Sequence, residues 1–148
     1  ACRHSDWMFL NGGAPAKIRG IIERVRAAGE AHGRCPRFAV YAIPLCRESD
    51  AAAWDEIKGM IASIDPDLLA ERKRRVAGAE GMWSGADDLA MLDTNEGYAT
   101  GLIGSPATLR ERIEELHDIG VDMLHLMLGD PLFETEVLPT ISGIGPAD

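Results

Sequence analysis

Residues 38–46 read Phe-Ala-Val-Tyr-Ala-Ile-Pro-Leu-Cys, and this nearly continuous apolar run decides the fold class. A strand that is apolar on both faces is typical of a parallel sheet covered by helices, whereas antiparallel strands alternate in polarity. Pro44 lacks an N–H group, so we expect the strand to end or to bulge near it. The run therefore predicts a buried strand of an α/β protein.

The residues before this run complete a strand–helix–strand unit. An aromatic run at 7–10 is stopped by Asn11-Gly12-Gly13, as a short buried strand would be. Pro15 then stands at the first position of a helix, and apolar residues follow it at helical spacing until Gly33. Two buried strands joined by an amphipathic helix predict a βαβ unit.

The residues after the run predict further helices, a third strand and one long irregular excursion. In chain order they are a helix capped by Ser49, a short charged helix at 68–76, an excursion at 78–100 with a helical turn at 87–92, a helix started by Ser105-Pro106, a strand at 123–128, an amphipathic segment and a frayed tail at 142–148. Long loops in compact domains often act as lids, so the excursion is a candidate lid.

Parallel strands joined by helices fit consecutive strands of a TIM (β/α)8 barrel, which normally needs about 250 residues. The 148 residues are too few for a whole barrel, so we expect residues 1–148 to form a single partial domain. A small doubly wound domain is the alternative architecture. The first residue is Ala1 rather than methionine, so we also expect the chain to be processed or to begin within a longer protein.

Charge and cysteine content exclude several classes of partner. The net charge of −9 argues against nucleic acid, because phosphates attract basic surfaces. The sequence has neither an apolar stretch approaching the roughly 20 residues that cross a bilayer nor a signal peptide, so we expect no membrane partner. The three cysteines are widely spaced and form no CxxC pair, which favours reduced thiols in the cytoplasm.

A series of short segments has a distinctive order and spacing. They read DWMFLNG at 6–12, GR at 33–34, RFAV at 37–40, RE at 47–48, LIGSP at 102–106, RI at 112–113 and GVD at 120–122. In this order they resemble the later strands of luciferase-like flavin monooxygenases, and most nearly those of the alkanesulfonate and dimethylsulfone monooxygenases. The resemblance implies that the chain is the C-terminal portion of a TIM barrel, with about three parallel strands and their helices.

The resemblance also implies a function. Family members use reduced FMN, usually supplied by a separate flavin reductase, and O2 to oxidise a small molecule, here an organosulfur compound. The N-terminal barrel half would complete the site, and we expect a homo-oligomer. Two alternatives share the barrel: a non-catalytic luciferase-like flavin-binding subunit, and a deazaflavin-dependent reductase.

Barrel sites lie at the carboxyl ends of the strands, which selects candidate cofactor-binding residues. Asn11 and Gly12 end the first strand, where family members place a residue against the flavin. Tyr41 lies on the second strand, although packing inside the barrel is an equally good interpretation. The sulfonate-cleaving relatives carry an arginine and a histidine at the positions matched by Tyr41 and Ile43. Because that cationic pair is absent, we expect a more neutral substrate, such as a sulfone.

Candidate substrate-binding residues come from the excursion and the last strand. Tyr98 and Thr100 fall where relatives carry a mobile region over the active site. Met127 shares a strand face with Met123 and His125, and Trp7, Phe9 and Asn11 share the face that we assign to the barrel interior.

Other polar residues carry weaker signals. A lone histidine in a strand, such as His125, is more often a satisfied core residue than a reactive one. Gly104-Ser105-Pro106 offers a helix N-terminus to an anion, but only weakly. The sequence identifies no general acid or base and has no metal-ligand spacing.

Overall fold

The computed structural model describes residues 4–30, 32–79, 83 and 85–141. Over these residues the strands are β1 (Trp7–Leu10), β2 (Arg37–Ala42), β3 (Leu45–Cys46), β4 (Ile103–Gly104) and β5 (Met123–Leu126). The helices are α1 (Pro15–Glu30), α2 (Asp50–Ala62), α3 (Pro66–Val76), α4 (Pro106–Asp118) and α5 (Leu138–Ile141), and a π-helical segment, Phe133–Val137, precedes α5. Two short 3-10 helices, Ala90–Leu92 and Tyr98–Thr100, lie in the excursion, the first of them within the helical turn predicted at 87–92. Among the described residues, no helix is both long and apolar enough to cross a membrane.

The main sheet contains three parallel strands in the order β1–β2–β5. Its register aligns Phe9 with Ala39 and Ala39 with Met123, while Tyr41 aligns with His125. Strands that follow one another in both sequence and space, with helices between them, form an arc of a (β/α) barrel.

One face of this sheet carries the core. Alternate strand residues such as Leu10, Phe38 and Val40 point to this face and are at most 7% exposed. Apolar side chains of α1, α4 and the π-helical segment pack on them; these include Ile18, Ile22, Leu109, Ile113, Leu116 and Phe133. The amphipathic patterns therefore predicted correctly which sides of the helices are buried.

The opposite face of the sheet, here called the open face, carries Trp7, Phe9, Tyr41, Met123, His125 and Met127. Phe9 and Met127 remain 58% and 53% exposed there, whereas Tyr41 is covered by Gly97 and is 9% exposed. Trp7 and Phe9 thus lie on the side predicted to be the barrel interior. Large apolar side chains at this exposure are typical of a surface that another part of a protein covers.

The apolar run at 38–46 is not the single strand that its pattern predicts. It breaks at Ile43-Pro44 into β2 and β3, which belong to different sheets. Pro44 has no N–H to donate, and the N–H of Ile43 donates to Gly97 O (3.2 Å) instead of to a strand. Leu45 then pairs with Ile103 of β4, a strand that the sequence did not reveal because only two residues form it.

The last strand is also shorter than predicted. It ends at Leu126 rather than at residue 128, although the N–H of Met127 still donates to Ala42 O (3.0 Å). The two-stranded sheet of β3 and β4 packs on α2 through a second apolar cluster that contains Leu45, Ala53, Ile57 and Ile103. The predicted tail at 142–148 lies outside the described residues.

Candidate functional site

The carboxyl ends of β1, β2 and β5 lie at one edge of the main sheet, called the mouth below. Asn11 and Gly12 follow β1, Tyr41 is the next-to-last residue of β2, and Met127 follows β5. Four of the six predicted site residues therefore come to one end of three adjacent strands. Barrel enzymes place their active sites at this end.

Asn11 and Gly12 line a groove of about 390 Å³ beside β1. Phe9 contributes an apolar wall to it, and Lys17 and Glu96 contribute charged groups. Tyr41 does not line this groove; it lies on the adjacent strand. The predicted cofactor-binding residues thus occupy neighbouring strand ends rather than one common cavity.

The end of the excursion, residues 93–100 (the rim segment), is fastened across the mouth. The N–H of Gly12 donates to Asn95 O (2.9 Å), and the N–H of Gly13 donates to Thr100 Oγ1 (3.3 Å). Thr100 Oγ1 in turn donates to Tyr41 O (2.9 Å). This part of the candidate lid is hydrogen-bonded to both β1 and β2.

Thr100 therefore holds the rim in place. Its side chain is 1% exposed, and its hydroxyl both accepts and donates a hydrogen bond within the protein. A hydroxyl engaged in this way positions Tyr41 and Gly13. Direct contact between Thr100 and a substrate stays a prediction.

Gly12 is required by the close approach of the rim segment. A Cβ at this position would lie 2.0 Å from Glu96 O and 2.7 Å from Thr100 Oγ1. Both distances are far shorter than a van der Waals contact, so only glycine allows the two backbone segments to meet. The predicted flavin contact of Gly12 is untested, but its packing role is evident.

A buried ion pair that the sequence analysis missed also fastens the rim. Lys17 Nζ lies 2.8 Å from Glu96 Oε1 and 3.1 Å from Oε2, and the Glu96 side chain is only 2% exposed. The N–H of Trp83 donates to the same carboxylate (3.1 Å). Glu96 has a φ of 57°, an uncommon conformation for a residue other than glycine. The partners are 79 residues apart, so no local pattern signals the pair.

Tyr41 and Tyr98 are two phenols near one carboxylate. Burial, and then the negative charge of Asp93, raise the pKa of each hydroxyl above its usual range. The Asp93 carboxylate accepts hydrogen bonds from the N–H groups of Gly97 (2.9 Å) and Asn95 (2.9 Å). Both phenols stay protonated near neutral pH and can donate hydrogen bonds.

The two tyrosines have different packing environments. Tyr41 is 9% exposed, and its ring lies beneath Gly97, where an added Cβ would meet Tyr41 Cε1 at 2.6 Å. Tyr98 packs against the second apolar cluster, on the side of α2. Met127, the third predicted substrate residue, lies on the β5 side of the mouth.

The His125 side chain is exposed in the described chain and lies on the open face, the side that we assign to the barrel interior. Its ring meets Phe9 edge-on at 5.3 Å between centroids and lies tilted against Tyr41 at 5.6 Å. Three rings from three strands thus form one cluster next to the mouth.

The helix N-terminus at Gly104-Ser105-Pro106 is already occupied by a carboxylate of the protein. Asp50 Oδ1 accepts from the N–H of Ser105 (2.7 Å), and Asp50 Oδ2 accepts from the Thr108 hydroxyl (3.0 Å). Ser105 Oγ caps the next turn by accepting from the N–H of Thr108. The Asp50 carboxylate thus takes the position that an anion would have at this helix N-terminus, and phosphate binding by this segment stays a weak prediction.

Replacing Asp50 with asparagine should lower the Tm slightly at pH 6–7. The hydrogen bond from Ser105, and then that from Thr108, lower the pKa of the Asp50 carboxyl below its ordinary value of 3.8. A group whose pKa is depressed by folding stabilises the protein above its unfolded pKa and loses that effect as the pH falls through the folded value. The Tm difference between wild type and Asp50→Asn should therefore shrink below about pH 4. A difference that is constant with pH would contradict this ionic role.

Cys46 and Arg47 belong to a structural network. Burial, followed by the negative charge of Asp130, raises the pKa of the Cys46 thiol to about 11, which opposes a nucleophilic role. Arg47 is paired with Glu56 (2.6 Å) and with the largely buried Asp130 (2.8 Å). Its guanidinium is therefore committed within the protein. No group of three metal-ligating side chains occurs among the described residues.

Two comparisons with known proteins indicate the same family. The luciferase-like monooxygenase family matches residues 1–123. An FMNH2-dependent dimethylsulfone monooxygenase from Pseudomonas putida is 31% identical over 153 residues, which cover 95% of this chain and 42% of that protein. A protein of the same name from Pseudomonas fluorescens is 29% identical, with the same coverage.

A comparison with solved structures indicates the same fold. The crystal structure of a long-chain alkane monooxygenase superposes with a TM-score of 0.64 at 14% identity, over 100% of this chain and 39% of that one. The chain thus spans about 42% of the length of the curated relatives that it matches. The predicted α/β fold, a part of a TIM barrel, is confirmed.

Proposed function

Because the chain belongs to the luciferase-like monooxygenase family, we propose that it forms part of the active site of an FMNH2-dependent monooxygenase acting on a small organosulfur compound. The observation that supports this proposal most strongly is the convergence of Asn11, Gly12, Tyr41 and Met127 at the carboxyl ends of three adjacent parallel strands. The chain supplies the C-terminal portion of the barrel in this proposal.

The residues at the mouth fit a flavin. An isoalloxazine ring has large apolar faces and a polar edge, so it needs an apolar wall and a few hydrogen-bonding groups. Phe9 provides exposed apolar surface, the Asn11 amide can donate and accept, and Tyr41 is a neutral phenol. When bound, reduced FMN supplies the electrons that activate O2, while the protein binds and orients the reactants and excludes water.

Because the Asp50 carboxylate already lies at the N-terminus of α4, we propose that the N-terminal barrel half holds the phosphate of the cofactor and completes the barrel around the open face. A groove of about 250 Å³ beside β5, lined by Leu116, Val121, Leu124, Leu126 and Leu138, is a further apolar surface for that half to cover. Strand edges left open in this way pair readily with another strand.

The substrate in this proposal is a neutral molecule such as a sulfone. Tyr41 and Ile43 replace the cationic pair of the sulfonate-cleaving relatives, and the guanidinium of Arg47 is committed to Glu56 and Asp130. Met127 and the hydroxyl of Tyr98 are the proposed substrate contacts, whereas Thr100 supports the rim.

A flavin reductase, a homo-oligomeric state and a cytoplasmic setting complete the proposal. Cys35 and Cys46 are free thiols, as is usual for a protein of a reducing compartment.

An anaerobic titration of the full-length protein with FMN tests the proposed cofactor site. Asn11→Leu should weaken FMN binding about tenfold, because one hydrogen-bonding amide is lost at the ring edge. Glu114→Leu, an exposed change on α4, should leave the affinity within twofold of wild type. Equal affinities for the wild type and Asn11→Leu would contradict the assignment of Asn11.

Turnover then separates the proposed function from its two alternatives. The proposed enzyme should consume O2 with reduced FMN and a sulfone. Flavin binding without turnover would support the non-catalytic subunit, and turnover with a reduced deazaflavin alone would support the reductase.

A further inference from the structure

We infer that His125 is a specificity-determining residue, which donates a hydrogen bond to an oxygen of a small neutral ligand bound against the open face. This inference rests on the proposed function and adds the group that recognises the polar part of the substrate. It assigns a role to a side chain that the sequence analysis treated as a core residue.

His125 lies at the end of the sheet where a barrel binds its ligands. His125 is the next-to-last residue of β5 and aligns with Tyr41, the next-to-last residue of β2. Both therefore stand near the carboxyl ends of their strands, where a barrel places its reacting groups. The side chain of His125 is exposed on the open face, whereas its neighbours Leu124 and Leu126 pack toward the core.

Two neighbouring rings orient the His125 imidazole. It meets the Phe9 ring at 5.3 Å and the Tyr41 ring at 5.6 Å between centroids. Phe9 and His125 lie on strands that are not neighbours, so their side chains reach toward each other across the intervening strand β2. The imidazole is thus oriented by packing in the absence of any hydrogen bond or ion pair to the described residues.

His125 also has the chemistry to recognise a ligand. A histidine that is oriented by packing, and that makes no polar contact within the described chain, can donate a hydrogen bond to a ligand. The side chains around it on the open face are apolar, namely Phe9, Met123 and Met127. A molecule with small apolar groups and a hydrogen-bond-accepting oxygen, as in a sulfone, matches both features.

The test compares two ligands on the full-length protein loaded with oxidised FMN. Dimethylsulfone and dimethyl sulfide carry the same methyl groups, but only the sulfone has oxygen acceptors. Calorimetry should give a dissociation constant for dimethylsulfone about tenfold higher in His125→Phe than in wild type, while dimethyl sulfide and FMN bind as before. Phenylalanine keeps the ring contacts, so the Tm should change little.

Two further variants separate hydrogen bonding from packing. His125→Gln keeps an N–H donor and should bind dimethylsulfone within about threefold of wild type. Phe9→Leu removes the ring that packs on His125 and reduces the apolar wall, so it should weaken both ligands alike. Under turnover, His125→Phe should raise KM for the sulfone more than it lowers kcat, because the contact binds the substrate before reaction.

The possible negative results distinguish the role of His125 from the proposed function. If the wild type binds FMN but His125→Phe binds dimethylsulfone as tightly as wild type, or if no sulfone binds at all, the role of His125 is overturned while the flavin site stands. If the wild type binds no FMN, the proposed function fails, and this inference fails with it.

Discussion

Replacing Lys17 with methionine should lower the free energy of unfolding by about 3 kcal/mol, since removing one partner of a buried ion pair leaves the other charge uncompensated. The Glu96 carboxylate is 2% exposed, and Lys17 is its charged partner among the described residues. Urea unfolding of the full-length protein measures the effect as a shift of the midpoint at constant slope. Because the pair fastens the rim segment to α1, FMN binding should weaken as well.

The matched control is Lys58→Met. Lys58 also pairs with a carboxylate at 2.8 Å, that of Asp55, but both side chains are more than 70% exposed. An exposed pair contributes little, so this variant should change the unfolding free energy by less than about 0.5 kcal/mol. The double variant Lys17→Met/Glu96→Gln, which removes both charges, should recover part of the loss. If Lys17→Met behaves like Lys58→Met, the ion pair does not hold the rim.

Replacing Gly12 with alanine should destabilise the protein by about 2–3 kcal/mol and weaken FMN binding at least tenfold. The new Cβ would meet the backbone of Glu96 at 2.0 Å, and a backbone carbonyl cannot rotate away as a flexible side chain can. The rim segment must therefore move off β1, which breaks the hydrogen bond from Gly12 N to Asn95 O. Urea unfolding and an FMN titration measure the two effects.

Gly59→Ala is the control for this variant. Gly59 lies in α2, and an added Cβ there has nothing within 4 Å. Alanine in an exposed helix interior should stabilise the protein by about 0.5–1 kcal/mol and leave FMN binding unchanged. If the two alanine variants have the same stability, the rim segment does not press on Gly12.

Most of the fold could be predicted from local pattern. The apolar runs of β1 and β5, like the amphipathic patterns of α1 and α4, involve residues that are close together in the sequence. The helix caps at Ser49 and Ser105 likewise depend on one or two side chains. Burial on both faces also predicted parallel strands. Pro44 indicated the break in the strand. No sequence pattern indicated β4, the strand with which the chain pairs after the break.

The candidate site could be predicted only in part. The rule that barrel sites lie at strand ends selected Asn11, Gly12, Tyr41 and Met127, and the structure places all four at the mouth. The same reasoning treated His125 as a core residue, because a strand pattern does not tell which face another part of the protein covers. The ring contacts of His125 with Phe9 and Tyr41 appear only once the register of three strands is known.

The sequence by itself determined the α/β class, the order of the longer elements and the buried side of each helix, because hydrophobic periodicity acts over a few neighbouring residues. Only the tertiary structure decided which distant groups meet: the Lys17–Glu96 ion pair and the close approach of the rim to Gly12 at the mouth, and the contact of Asp50 with the N-terminus of α4. These contacts join residues between 55 and 88 positions apart. Their energies depend on distances that chain folding sets, and no local pattern encodes those distances.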